Sequence, residues 1–170
     1  MRLALDRLDS PAGPIVIVAH ASGLVAVDFG EPEDRLWAML RRRFGSIEVE
    51  PAADPLGATS ALHAYLAGRL DAIDALPVDA GGTPFQQVCW AALRTIPAGT
   101  TWSYRQLALA IGRPSAMRAV GLANGANPVG IVVPCHRVIG ADGSLTGYGG
   151  GLPRKRWLLE HEGVLLRIGA

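Results

Sequence analysis

Cys135 and His136 stand side by side in Pro134-Cys135-His136-Arg137, directly after the apolar run Val129–Val133. Sulfur reacts as the thiolate, and a neighbouring base or positive charge makes the thiolate available near neutral pH. The run predicts a buried strand that delivers the thiol to a site. Neighbouring side chains of a strand point to opposite faces, so Cys135 and His136 cooperate only if the chain turns there or a water bridges them. Asn124-Gly125-Ala126-Asn127-Pro128 precedes the run, and the glycine-rich Gly147-Tyr148-Gly149-Gly150-Gly151 follows the motif. Glycine suits a place where backbone must approach a flat ligand closely. The other cysteine, Cys89, lies between Val88 and Trp90 in a helical pattern and reads as packing.

Two cysteines in unrelated contexts offer neither a disulfide framework nor metal-ligand spacing. A reducing, cytoplasmic compartment is the expectation. Arg2, Asp6, Arg7 and Asp9 interrupt any leader-like apolar core, and the stretch Ile15–Val27, broken by His20 and Ser22, is too short to span a bilayer. A soluble protein with no membrane partner follows. The net charge of +1 conceals an asymmetry. Residues 1–80 carry 7 Arg/Lys against 12 Asp/Glu, a balance of −5, whereas residues 81–170 carry 9 against 3, a balance of +6. A basic second half suits a nucleic-acid partner.

Two domains are expected, 1–80 and 81–170. In the first, Leu3–Leu8, Pro14–Ala19, Leu24–Phe29 and Ile47–Val49 read as strands. Pro32–Phe44 and Ser60–Ala72 read as amphipathic helices, the first with Leu36, Leu40 and Phe44 at a spacing of four. The change of character comes at Ala80-Gly81-Gly82. Thr83-Pro84-Phe85-Gln86 predicts a capped helix start, with Pro in the first turn and Gln three residues after the cap. That helix should run to about Thr95 and stop at Pro97-Ala98-Gly99. Ser103-Tyr104-Arg105-Gln106 is a second capping box, opening a helix that Gly112 closes. A further helix over about Ser115–Asn124 carries Arg118 in the recognition position of a helix-turn-helix. A last one, from about Pro153 to Glu162, ends at Gly163.

Arg118-Ala-Val-Gly-Leu-Ala-Asn-Gly-Ala-Asn127-Pro, Pro134-Cys-His-Arg-Val138 and Gly147-Tyr-Gly-Gly-Gly151 together closely resemble the O6-alkylguanine-DNA alkyltransferases, the methylated-DNA–protein-cysteine methyltransferases. The likeness is dense from about Thr83 to Gly163. It implies an N-terminal ribonuclease-H-like α/β domain and a C-terminal helix-turn-helix (winged-helix-like) domain, an α+β chain overall. It also implies stoichiometric, irreversible transfer of an alkyl group from O6 of guanine to Cys135, with O4-alkylthymine as a second lesion. By the same resemblance Glu162 orients His136, which draws the Cys135 proton through a water. Tyr104 contacts guanine N3 and a phosphate, and the leaving guanine anion needs a proton donor. The Val138 carbonyl and the Gly149 N–H touch the extruded base. Arg118 fills the hole left by that base, which must leave the stack to reach a buried thiol. Ala119 and Gly121, with Ser103, bring the protein close to the minor groove, and Asn127 ties the recognition helix to the active-site loop. No cofactor is implied, because the lesion is its own alkyl donor. The cysteines and histidines that hold zinc in some relatives are missing, so no metal is expected. Double-stranded DNA carrying O6-alkylguanine is the expected partner of a monomer.

Two other readings stay open at this level. A DNA-binding regulator would use the helix-turn-helix without chemistry, though non-transferring relatives replace the cysteine. A cysteine hydrolase would turn over and need an oxyanion hole.

Overall fold

Alternation of Leu3 and Leu5 with solvent-facing neighbours makes a half-buried strand, whereas the unbroken run Ile15–Ala19 makes a strand covered on both faces. The computed structural model, which describes residues 1–164, forms a first unit over Met1–Gly81 from these pieces. Its strands are β1 (Arg2–Leu8), β2 (Ile15–His20), β3 (Gly23–Phe29) and β4 (Glu48–Pro51), in the order β3-β2-β1-β4. β1–β2 and β2–β3 pair antiparallel, with Leu5 opposite Val18 and Ile17 opposite Val27, while β4 runs parallel to β1. Helix α1 (Asp34–Phe44) lays Leu36, Trp37, Leu40 and Phe44 on the face made by Leu3, Leu5, Val16, Val18 and Val25.

Two helix boundaries differ from the sequence expectation. α1 begins at Asp34, so Pro32 lies outside it and Glu33 takes the cap position. α2 covers only Ala58–Leu66 and not Ser60–Ala72. Gly68 at φ +108° turns the chain, and short turns carry the apolar pattern on to Ile73 and Leu76. The strand expected at Ile47–Val49 is displaced to Glu48–Pro51, where β1 supplies its partners.

The first unit holds its own C-terminal segment firmly. Leu24 N–H donates to the Pro77 carbonyl at 2.9 Å and Asp79 N–H to the Leu24 carbonyl at 2.8 Å. Ser22 N–H donates to His20 Nδ1 at 3.1 Å, so His20 carries its proton on Nε2 and donates it to Asp79 at 2.6 Å. Arg43 grips the same carboxylate and donates to the Asp79 carbonyl at 2.6 Å. A Cβ at Gly23 would meet Asp79 Cβ at 2.9 Å, so glycine is required for this approach.

The second unit, from Gly82 on, is mainly helical. α3 (Pro84–Leu93) starts at the expected box: Thr83 Oγ1 accepts from Gln86 N–H at 3.2 Å, and Gln86 Oε1 accepts from Thr83 N–H at 2.9 Å. β5 (Trp102–Ser103) leads into α4 (Tyr104–Ala110), whose Ser103–Gln106 box is likewise closed in both directions. Gly112, at φ +71°, ends that segment, and α5 (Met117–Gly125) follows. β6 (Val138–Ile139) pairs parallel with β5, and α6 (Leu152–His161) closes the described chain before Gly163 at φ +85°. Trp90 of α3 donates its indole N–H to the Ala123 carbonyl of α5 at 2.8 Å, pinning the two helices together. Among the described residues no helix is long and apolar enough to cross a membrane.

Candidate active site

The run Val129–Val133 is not the expected strand. Val129 is a single bridge residue, and the chain then turns: Val132 N–H bonds the Gly130 carbonyl at 2.8 Å and Val133 N–H the Val129 carbonyl at 2.9 Å. Prolines at 128 and 134 bracket the run, and burial accounts for its apolar composition. Ile131 sits at φ +68°, a left-handed conformation that a β-branched residue enters at a cost of about 1–3 kcal/mol. Asn127 holds this segment from inside. Its Nδ2 donates to the Val133 carbonyl at 2.9 Å, and its Oδ1 accepts from Val129 N–H at 2.9 Å.

Cys135, His136 and Arg137 form a single 3₁₀ turn. With three residues per turn, consecutive side chains diverge by about 120° rather than the 180° of a strand. The turn thus removes the opposite-face arrangement that a strand would impose on Cys135 and His136. Cys135 is 8% exposed and His136 fully buried. Asn124, on the last turn of α5, donates Nδ2–H to the Cys135 carbonyl at 3.3 Å, joining the helix that bears Arg118 to the 135–137 turn.

Glu162, at the C-terminal end of α6, receives the buried polar groups of this turn. His136 Nε2 lies 3.0 Å from Oε1. Arg137 donates Nε–H to Oε1 at 2.9 Å and Nη2–H to Oε2 at 2.7 Å, and its Nη1–H goes to the Ile96 carbonyl at 2.6 Å. Burial alone would push the Glu162 carboxyl up. The hydrogen bonds and charges of Arg137 and His136 outweigh it and hold that carboxyl well below the usual range. A carboxylate only accepts, so His136 carries its proton on Nε2. Nδ1 is then the lone-pair end, and it is buried with no hydrogen-bond partner among the described residues. Burial holds His136 below its ordinary pKa; Glu162 opposes that, and the charges of Arg137 and Lys155 add to it. The result is a neutral imidazole with its basic Nδ1 lone pair turned away from an ionised carboxylate, whose charge Arg137 balances.

Tyr104, the first residue of α4, is half-buried, with its hydroxyl 2.8 Å from Thr146 Oγ1. Gly121 of α5 lies beside its ring: a Cβ there would stand 3.8 Å from Tyr104 Cδ1 and Cε1. The β5–β6 pairing sets Trp102 opposite Val138, which brings the start of α4 next to the residues following Cys135. Arg118 and Ala119 are exposed on α5, together with Leu122 at 74% exposure. Gly149 is exposed in the glycine-rich loop. Ser103 acts through its cap, with Oγ accepting from Gln106 N–H at 3.1 Å. Cys89 is fully buried, and burial pushes its thiol up, away from reactivity.

Sequence reasoning assigned no role to Arg137, Asn124, Thr146 or Lys155. Lys155, on α6, is fully buried, and its ammonium donates to the Val138 carbonyl at 2.7 Å, Thr146 at 2.6 Å and Gly147 at 3.5 Å. One signal was available: it is the sole lysine of the chain, every other basic residue being arginine. A compact ammonium with three donors suits three converging carbonyls, and a planar guanidinium does not.

Both halves of the chain resemble known proteins. The family described as "6-O-methylguanine DNA methyltransferase, DNA binding domain" matches residues 84–164, and its "ribonuclease-like domain" matches residues 6–80. The methylated-DNA–protein-cysteine methyltransferase of Shigella flexneri is 49% identical over 169 residues, covering 98% of this chain and 99% of the relative. That of Mycobacterium bovis is 49% identical over 158 residues, covering 91% and 89%. Among solved structures, the Mycobacterium tuberculosis O6-methylguanine methyltransferase superposes with a TM-score of 0.78 at 44% identity, covering 94% of this chain and 92% of that one. A structure of the M. tuberculosis protein in complex with DNA gives 0.71 at 43% identity, covering 95% and 92%. With both halves matched and Cys135 inside the matched DNA-binding part, the chain belongs to the 6-O-methylguanine DNA methyltransferase family.

Proposed function

We propose that this chain repairs DNA by direct reversal, transferring the alkyl group of O6-alkylguanine irreversibly to Cys135 as a monomer, each molecule acting once. The observation that carries the reading is the buried Nδ1 of His136, without a partner among the described residues, whose other ring nitrogen is fixed on the ionised, Arg137-paired Glu162. Such an imidazole presents a basic nitrogen able to accept a proton. Cys135 gives up its proton through one water to Nδ1. The thiolate then attacks the alkyl carbon in line, forming S–C as C–O6 breaks, and the electron pair leaves on guanine. Tyr104 protonates the departing base at N3. No acyl intermediate forms, so no oxyanion hole is required, and the S-alkyl thioether is too stable to turn over. Val138 and Gly149 meet the base through their backbone, and Arg118 occupies the vacated stack. Ala119, Gly121 and Ser103 let the protein approach the groove. Residues 81–170 do this work, and 1–80 form a separate acidic domain. O4-alkylthymine is a second substrate, and a thiol acceptor fits a reducing cytoplasm.

The test is incubation with an oligonucleotide carrying O6-methylguanine, followed by mass spectrometry of the protein. One methyl on Cys135 per protein molecule is expected, lost in Cys135→Ala and retained in Cys89→Ser. A regulator gives binding without an adduct, and a hydrolase gives multiple turnovers. An adduct on Cys89 overturns the assignment.

A further inference from the structure

The hydrogen bond between Tyr104 and Thr146 joins two parts of the chain that the proposed chemistry does not otherwise connect. Thr146 lies in the loop between β6 and α6, 42 residues beyond Tyr104, and the pair is half-buried at 2.8 Å. The loop is held in place there. The Lys155 ammonium binds the Thr146 carbonyl and the Val138 carbonyl at once, fastening the loop to the strand that follows Cys135. Lys155 is fully buried, so this clasp is not a solvated surface contact.

We infer that Thr146 is a positioning residue for alkyl transfer: its hydroxyl aims the Tyr104 phenol and donates into the phenolic oxygen as the phenol gives its proton to the leaving base. The inference rests on the reading of Tyr104 as the proton donor. A phenol that has pointed its hydrogen at N3 of the base has only oxygen lone pairs left for Thr146. The threonine hydroxyl rotates and supplies its own hydrogen. Proton transfer from Tyr104 to the guanine anion leaves negative charge on the phenolic oxygen, and a bond donated from Thr146 strengthens as that charge develops. Only an interaction stronger in the transition state than in the ground state accelerates the step. The Thr146 Cβ and its carbonyl stay with the loop, so Thr146→Val removes the hydroxyl while leaving the bonds to Lys155.

The experiment measures single-turnover repair of O6-methylguanine in duplex DNA by the full-length protein for Thr146→Val, Thr146→Ser, Tyr104→Phe and the Thr146→Val/Tyr104→Phe pair. Alkylation of Cys135 by iodoacetamide is measured on the same preparations. Repair by Thr146→Val is expected to be about tenfold slower, the size of one lost hydrogen bond. Thr146→Ser should restore the parent rate. Tyr104→Phe should be slower still, with no further loss in the double variant. Iodoacetamide, which leaves no base anion to protonate, should react alike with all five proteins. If Tyr104→Phe repairs at the parent rate, the donor reading of Tyr104 is wrong. If Tyr104→Phe is slow but Thr146→Val is not, or if the two losses multiply, the role of Thr146 is wrong while that of Tyr104 stands.

Discussion

Arg137 and Glu162, 25 residues apart, form a buried two-point ion pair, Nε to Oε1 at 2.9 Å and Nη2 to Oε2 at 2.7 Å. Because Oε1 also faces His136 Nε2, one carboxylate oxygen serves both the imidazole and the guanidinium. Arg137 therefore keeps Glu162 ionised, and an ionised Glu162 keeps the His136 proton on Nε2 and the lone pair on Nδ1.

Replacing Glu162 by Gln removes the negative charge and leaves Arg137 buried without a counter-ion. Breaking such a pair costs about 3–5 kcal/mol. Urea unfolding should show a loss of this size. Iodoacetamide alkylation of Cys135 at neutral pH should slow by about a hundredfold as the imidazole loses its orienting partner. Retained stability with normal alkylation would mean that the cluster is decorative.

Acid should weaken the fold through both members of this cluster. His136 has a folded-state pKa below its ordinary 6.5, so the unfolded chain binds the proton more readily. Glu162 is likewise held below its ordinary 4.5. For each, the stabilisation is complete above the unfolded value and is lost as pH falls toward the folded one. Unfolding free energy should accordingly decline from about pH 6.5 downward, first through His136 and below about pH 4.5 also through Glu162. The slope is at most about 1.4 kcal/mol per pH unit for each proton taken up. Urea titrations across this range check it, and His136→Gln should abolish the first part of the decline.

Lys155 offers a direct spectroscopic reading, because a single lysine gives a single side-chain signal in protein labelled with ¹⁵N-lysine. Burial pushes its ammonium down from 10.5 to about 8, with the thiolate of Cys135 pulling it back up. The NMR midpoint should fall near 8 and move lower once Cys135 is methylated, since a thioether carries no charge. A depressed pKa means that the unfolded chain holds this proton longer. The Lys155 contribution to stability therefore rises with pH between about 8 and 10.5. A midpoint near 10.5 would show an ammonium open to water.

Arg118 separates DNA handling from chemistry. Extruding a base costs a few kcal/mol of stacking and pairing, and an inserted side chain offsets part of that. Arg118→Ala should slow repair of O6-methylguanine in duplex DNA by at least tenfold while reacting with free O6-benzylguanine at the parent rate. Equal losses on the two substrates would assign Arg118 to the fold or the thiolate instead.

Local features were legible in the residues alone. The boxes at Thr83 and Ser103 are closed within four residues, so their side chains state their own partners, and both helices begin where the boxes place them. Gly112 and Gly163 end their segments because a left-handed φ is cheap only for glycine. Cys135 and His136 stood out from residue type and motif, and the two charge balances from counting. Long-range packing set everything else. An apolar run such as Val129–Val133 reads the same whether it is buried as strand or as turns, and only the bonds of Asn127 and the flanking prolines select turns. The helical pattern of Ser60–Ala72 overran its helix because burial continues through turns once Gly68 breaks the ladder. Glu162 could be matched to His136 by resemblance, but the pairing with Arg137 that sets its charge requires α6 to pack on the 135–137 turn. Lys155 and Thr146 carried no local signal of their partners, since carbonyls at Val138 and Gly147 and a phenol at Tyr104 converge only after the loop folds back. Hydrogen bonds between distant residues depend on three-dimensional proximity, which no window of sequence contains.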